Sequence, residues 1–263
     1  MNASATSANV WARGAGPEAR GGQKECLPSR LVPLAPRLVS KRDFAMARIE
    51  RYVASTVPVL ADRVRRVLGE NGLIALPTES FYGLAVAPFD EQALARLWQV
   101  KGRSEGKPIL VLIGDGSQLG PFVRSIPPAA TVLMNAFWPG PLTIVFPAAV
   151  GLSDAVTAGT GSVGIRLSAW QPLVDLLRRV GPVTGTSANR EGLPPPTTAE
   201  EVQHTFGDVL DLIVDAGPTT GGPPSTVIDV RGPIRIIRDG AVERGVIAAQ
   251  LTAYGLHLDA DSR

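Results

Sequence analysis

Cysteine and histidine are nearly absent from this chain. Its 263 residues hold one cysteine, Cys26, and two histidines, His204 and His257. That argues against a disulfide framework, a Cys/His zinc site and a Ser-His-Asp triad. No apolar run approaches the roughly 18–20 residues that a membrane-spanning helix needs, so no membrane role is expected. A lone cysteine fits a reducing compartment, and a cytoplasmic location is expected. The body of the chain also lacks excess positive charge. Residues 1–45 carry seven Lys/Arg and three Asp/Glu, a net +4, so the remaining 19 Lys/Arg and 21 Asp/Glu leave the rest at −2. A nucleic-acid binder acting through bulk charge would look different, and any cationic site in the body must be local.

What is present is enough apolar material for one α/β domain: 44% of the residues are hydrophobic and the mean hydropathy is +0.13. Residues 1–45 are rich in Ala, Gly, Pro, Ser and Arg without apolar period and read as a disordered extension, with Met46 an alternative start. The domain is expected over 46–263. Leu60, Val64, Val67 and Leu68 share a helical face that Asn71-Gly72 ends. Residues 73–76 read as a buried strand. Asp90 can cap a helix bearing Leu94, Leu97 and Trp98. Strands are expected at 109–113, 142–146, 163–167, 182–185, 210–214, 226–230 and 234–237. Helices are expected at 128–138, 172–180, after a Thr198/Glu201 capping box, and at 244–254. Early strands alternate with helices and late ones follow one another, which predicts a twisted, mixed sheet with packed helices in a single domain.

Five short constellations carry polar chemistry. Residues 76–84, Leu-Pro-Thr-Glu-Ser-Phe-Tyr-Gly-Leu, end an apolar run in hydroxyls and a glycine turn. Lys101, Arg103 and Lys107 put three cations within seven residues, either a solvated helix end or a phosphate clamp. Gly185-Thr-Ser-Ala-Asn189 closes a strand with Ser187 and Asn189, residues that cap helices or hydrogen-bond phosphates. Arg166 lies inside an otherwise apolar strand, which is unfavourable unless the charge is paired. Arg238 closes a late strand. Trp138-Pro-Gly-Pro-Leu-Thr143 reads as a turn into a strand, and the histidines sit in surface contexts without a role.

In order and spacing these motifs resemble the YrdC/Sua5 family, the threonylcarbamoyl-AMP synthases of tRNA modification. Pro77-Thr-Glu-Ser-Phe-Tyr-Gly-Leu84, Lys101-Gly-Arg103, Pro139-Gly-Pro-Leu-Thr143, Val163-Gly-Ile-Arg166, Ser187-Ala-Asn189, Ser225-Thr-Val-Ile-Asp229 and a strand ending at Arg238 follow the family pattern across about residues 55–240. The resemblance implies a concave cationic cavity and a short, single-domain enzyme. That enzyme would make threonylcarbamoyl-AMP and pyrophosphate from L-threonine, bicarbonate and ATP, with Mg²⁺ carried on the ATP phosphates and no protein metal site. A transferase complex that modifies adenosine 37 of tRNA would take the product. The implied catalytic group is Lys101, Arg103, Ser187 and Asn189. The implied ATP contacts are Lys101, Arg103, Lys107, Ser162, Ser187, Pro195 and Arg238, and the implied threonine contacts are Thr78, Leu112, Arg166 and Gly185. Four departures stand out: Ser80 replaces a Thr, Leu112 stands where many relatives have His, Pro195 stands where relatives often have Ser, and Pro224 precedes Ser225 where Glu or Gly is more usual. The alternative readings are a paralogue of the same fold with another substrate and an RNA-binding module that contacts tRNA directly.

Overall fold

The computed structural model describes residues 46–102 and 108–259. The expectations for residues 1–45, and for Arg103 and Lys107, fall outside the described residues. Ten strands form one mixed sheet: β1 (Arg48–Arg51), β2 (Ile74–Pro77), β3 (Tyr82–Ala85), β4 (Leu110–Ile113), β5 (Leu142–Pro147), β6 (Ser162–Leu167), β7 (Val183–Ser187), β8 (Leu212–Asp215), β9 (Thr226–Asp229) and β10 (Arg235–Arg238). Their order is β1-β8-β2-β3-β7-β4-β6-β5-β9-β10. The β1–β8, β2–β8, β4–β6 and β5–β9 pairs are parallel, and the others are antiparallel.

The helices are α1 (Val57–Gly69), α2 (Glu91–Lys101), α3 (Pro128–Phe137), α4 (Asp154–Thr157), α5 (Gln171–Val180), α6 (Ala199–Phe206) and α7 (Arg244–Thr252). Successive strand residues point to opposite faces, and that period sorts the core into two clusters. Ala75, Val111, Ile113, Ile144, Ile165 and Ile228 pack with the buried faces of α2, α3, α6 and α7. Ile74, Leu76, Leu112, Val183 and Leu212 face the other way and pack with Leu60, Val64 and Leu68 of α1 and Leu173, Leu176 and Leu177 of α5. Two helices cover only part of that second face. The uncovered part is where a cavity forms.

Local signals account for the helix ends. The Asp90 carboxylate accepts from the amides of Gln92 and Ala93, both at 3.0 Å, and α2 stops at Gly102 with φ of 60°. The capping box of α6 is formed, with the Thr198 hydroxyl on the Glu201 amide and the Glu201 carboxylate reaching back to the Thr198 amide. Thr198→Ala is expected to lower stability by about 1 kcal/mol, read as a shifted urea midpoint with unchanged slope.

Two strands escape the sequence pattern. β1 is an edge strand of Arg-Ile-Glu-Arg, too charged to read as one. Tyr82–Ala85 looked like part of a turn because it contains a glycine. All four residues are buried, however, and pair antiparallel with β2.

Candidate active site

The strand alternation that builds the core also sets the cavity wall. On β6, Val163 and Ile165 enter the main core while Gly164 and Arg166 face the open side. On β5, Ile144 goes inward while Thr143 faces the opening, and on β4, Leu110 and Leu112 do the same opposite Val111. The result is a cavity of about 300 Å³ whose wall includes Thr78, Leu112, Arg166, Gly185, Ser187 and Arg238. That is the lower end of the range for small-molecule sites. Pro108, the first residue after the undescribed 103–107, is also on the wall.

Gly185 keeps the cavity open on the β7 side. A Cβ there would come within 2.9 Å of Cδ1 of both Leu110 and Leu112. Arg166 is buried at 5% exposure, and its Nε donates to the Gly140 carbonyl at 3.2 Å. A side chain on Gly140 would strike the Phe137 carbonyl at 2.2 Å, so only glycine lets the backbone present that oxygen. Nη2 of Arg166 lies 2.5 Å from Oε1 of Glu79. The other Glu79 oxygen accepts from the Ser168 hydroxyl at 2.7 Å. Burial alone would raise the Glu79 carboxyl. The Arg166 charge and the Ser168 bond outweigh burial and hold it below its ordinary value of 4.5.

A carboxyl with a depressed folded-state pKa contributes stability that is present above its unfolded pKa and is lost as pH falls through the folded value. Wild type is therefore expected to lose part of its stability below about pH 4.5 for this reason, while Glu79→Gln lacks that component. Melting curves of the two proteins between about pH 7 and pH 3 check this, and their Tm gap should narrow on acidification.

Also on the cavity wall, Thr143 and Ser225 are buried with their hydroxyl oxygens 2.9 Å apart. Arg238 is partly exposed, and its Nε and Nη2 donate to the Ser225 carbonyl at 3.2 and 2.8 Å. Burial, and then the positive charge of Arg166, push the Arg238 pKa down. Two guanidinium groups thus line one cavity, and their like charges favour a bound anion there.

The remaining expected residues are placed differently. The Thr78 hydroxyl lies on the wall but is engaged in its own turn: it donates to the Phe81 carbonyl at 2.8 Å and accepts from the Ser80 and Phe81 amides. Lys101 is buried and is not on the wall. Its Nζ donates to the carbonyls of Ser187 at 2.8 Å and Asn189 at 2.5 Å. Ser187 donates to the Asn189 side-chain oxygen at 2.5 Å, and Asn189 Nδ2 donates to the Leu193 carbonyl. Lys101, Ser187 and Asn189 are therefore brought together, as a brace between α2 and the end of β7. Ser162 shares a face with Gly164 and Arg166 but lies beyond the wall, its hydroxyl 2.6 Å from that of Thr160. Pro195 and Asn189 are half-buried and off the wall.

Sequence reasoning assigned no role to Glu79, Thr143 or Ser225. The polar-in-apolar signal that singled out Arg166 would have found Thr143, since Leu-Thr-Ile-Val-Phe breaks its apolar run there. Glu79 had no local signal, because its partners lie 87 to 90 residues away in the sequence.

Comparison with known proteins bears on this cavity. A protein-family model, Sua5–YciO–YrdC, described as telomere recombination, matches residues 66–240. The chain is 38% identical over 164 residues to the threonylcarbamoyl-AMP synthase of Thiobacillus denitrificans, covering 62% of this chain and 87% of that protein. It is 37% identical over 196 residues to the Bacillus subtilis threonylcarbamoyl-AMP synthase, covering 73% and 56%. The crystal structure of Pyrococcus abyssi Sua5 complexed with L-threonine superposes with a TM-score of 0.70 at 33% identity, covering 78% of this chain and 60% of that one. The chain thus spans little more than half the length of the Bacillus and Pyrococcus proteins.

Proposed function

The chain belongs to the Sua5–YciO–YrdC family, and from that premise we propose that it is a threonylcarbamoyl-AMP synthase, a nucleotidyltransferase that joins L-threonine, bicarbonate and ATP. The observation that carries this reading is the buried Arg166 on the cavity wall, a fixed cation suited to an amino-acid carboxylate. Threonine and bicarbonate condense to N-carboxy-threonine with loss of water. Its carboxylate attacks the α-phosphorus of ATP, and pyrophosphate leaves. Nucleophile and phosphate are both anions, so the protein must hold like charges in line rather than activate a covalent nucleophile. Guanidinium groups and oriented hydroxyls are suited to that task, and a chain poor in cysteine and histidine is not handicapped by it.

In this reading Arg166 takes the threonine carboxylate, and Gly185, Leu112 and Thr78 shape the space beside it. Arg238 and Ser187 face the nucleotide, and Arg103, Lys107 and Ser162 are its further expected contacts. Lys101 and Asn189 act by fixing the end of β7, since both carbonyls and both side chains there are tied together. Pro195, off the wall, contributes no side-chain donor. Mg²⁺ would come with the phosphates and keep several waters. The Ser187 and Asn189 oxygens are of the hard type that can accept those waters, and the ion would supply charge neutralisation. A transferase complex acting on tRNA would consume the product.

Pyrophosphate release, measured with ATP, Mg²⁺ and bicarbonate plus threonine, serine or no amino acid, tests the reading. Threonine-dependent release is expected. Release indifferent to the amino acid would mark a paralogue with another substrate, a live distinction because Leu112 supplies no polar contact. No release, together with a salt-dependent tRNA gel shift, would turn the reading to RNA binding.

A further inference from the structure

Glu79 reaches an unexpected place. β2 and β6 are four steps apart in the sheet. The strand directions put the end of β2 on the same sheet edge as the start of β6. Yet Glu79, two residues past β2, contacts Ser168 and Ala169 just beyond the end of β6. Twist resolves this. About 20–25° per strand pair, summed over four steps, turns β2 across the direction of β6, so the turn leaving β2 can meet the far end of β6. That turn is also held from behind. Thr220 Oγ1 donates to the Glu79 carbonyl at 2.9 Å, and Thr219 Oγ1 and the Gly221 amide donate to the Ser80 carbonyl at 2.7 and 3.0 Å.

The guanidinium of Arg166 is divided between two surroundings. Nη2 is closed to solvent, makes no aligned hydrogen bond, and has Glu79 at 2.5 Å as its charge partner. Nε is held by Gly140. Nη1 has no hydrogen-bond partner among the described residues. Glu79 is not on the cavity wall, whereas Arg166 is. Glu79 thus meets Nη2 from outside the cavity wall.

We propose that Glu79 is a positioning residue for amino-acid binding: it holds Nη2 from outside the cavity and, with the Gly140 carbonyl, sets the guanidinium plane so that Nη1 is presented to the carboxylate. The inference rests on the reading of Arg166 as the partner of the amino-acid carboxylate. Ser168 is the outer support, since its hydroxyl fixes the second oxygen of Glu79.

Calorimetric titration of the full chain with L-threonine and, separately, with ATP·Mg²⁺ tests this on wild type, Glu79→Ala, Glu79→Gln and Ser168→Ala. Glu79→Ala is expected to weaken threonine binding by about tenfold or more, the scale of one charge-assisted contact, with ATP binding unchanged within about twofold. Glu79→Gln and Ser168→Ala should weaken threonine binding in the same direction by less. These near-isosteric and peripheral changes decide the matter if the alanine variant does not fold. Unchanged or tighter threonine binding in the folded variants overturns the proposal, as does equal loss of threonine and ATP, which would mean general collapse of the site. Failure of wild type to bind threonine at all would instead sink the synthase reading, and this inference with it.

Discussion

Arg166→Ala is expected to lower kcat/KM for threonine-dependent pyrophosphate release by at least about 100-fold, the scale for truncating one partner of a buried hydrogen-bonded charge contact. The effect has two sources that can be separated. The first is the loss of the fixed cation in the cavity. The second is structural: Glu79 keeps its Ser168 bond but loses the charge opposite it. Breaking a fully buried pair destabilises by about 3–5 kcal/mol. The Glu79 side chain is 24% exposed, so the loss should fall below that range. In the double variant Arg166→Ala/Glu79→Gln no carboxylate is left unpaired, so stability should partly return while activity does not. Urea unfolding and pyrophosphate assays on the four proteins of this cycle provide the check. Full activity in Arg166→Ala would remove Arg166 from the site.

Lys101→Ala is expected to combine a stability loss of about 3 kcal/mol with at least about a tenfold fall in kcat/KM, although the ammonium is not on the cavity wall. Hydrogen bonds to a charged group contribute about 1.5–3 kcal/mol each, and those of Lys101 include the bonds to the Ser187 and Asn189 carbonyls. Without it those carbonyls lose their donor and the end of β7 is released, and Ser187 with it. Lys101→Met, which keeps the apolar stem in its buried slot but not the donors, should behave similarly. Hydrogen exchange at the amides of residues 187–193 should rise in both variants. If activity fell while the unfolding midpoint and exchange stayed at wild-type values, Lys101 would be acting on substrate directly, not as a brace.

The two expectations differ in how far they could be read from sequence. Arg166 announces itself: an arginine in Ser-Val-Gly-Ile-Arg-Leu must be paired or functional, and the period of two puts it on one face with Ser162 and Gly164. Lys101 does not. At the end of a helix, followed by Gly102, it reads as a solvated cation favoured by the helix dipole, and as the first of three that could clamp phosphate. The helix ends at Gly102, but the side chain turns into the protein, because β7 ends beside it with two carbonyls to satisfy. Tyr82–Ala85 reads as a turn because of its glycine, and a fully buried short strand offers no alternation to counter that reading.

The order of the motifs along the chain is enough to place it in its family. The periods of 3.6 and 2 determine most helices and strands, and which residues of each strand face together. Those are local properties, written in neighbouring residues and in side-chain geometry. Which faces meet is set by the packing of distant segments. Glu79 to Ser168 spans 89 positions, Lys101 to Ser187 spans 86, and Thr143 to Ser225 spans 82. Each contact depends on how the strands are ordered, the first also on twist accumulated across the sheet, and no local pattern encodes either. The motifs therefore name most of the cavity wall. The charge partners that orient it, Glu79 behind Arg166 and the carbonyls around Lys101, exist only once the sheet has formed.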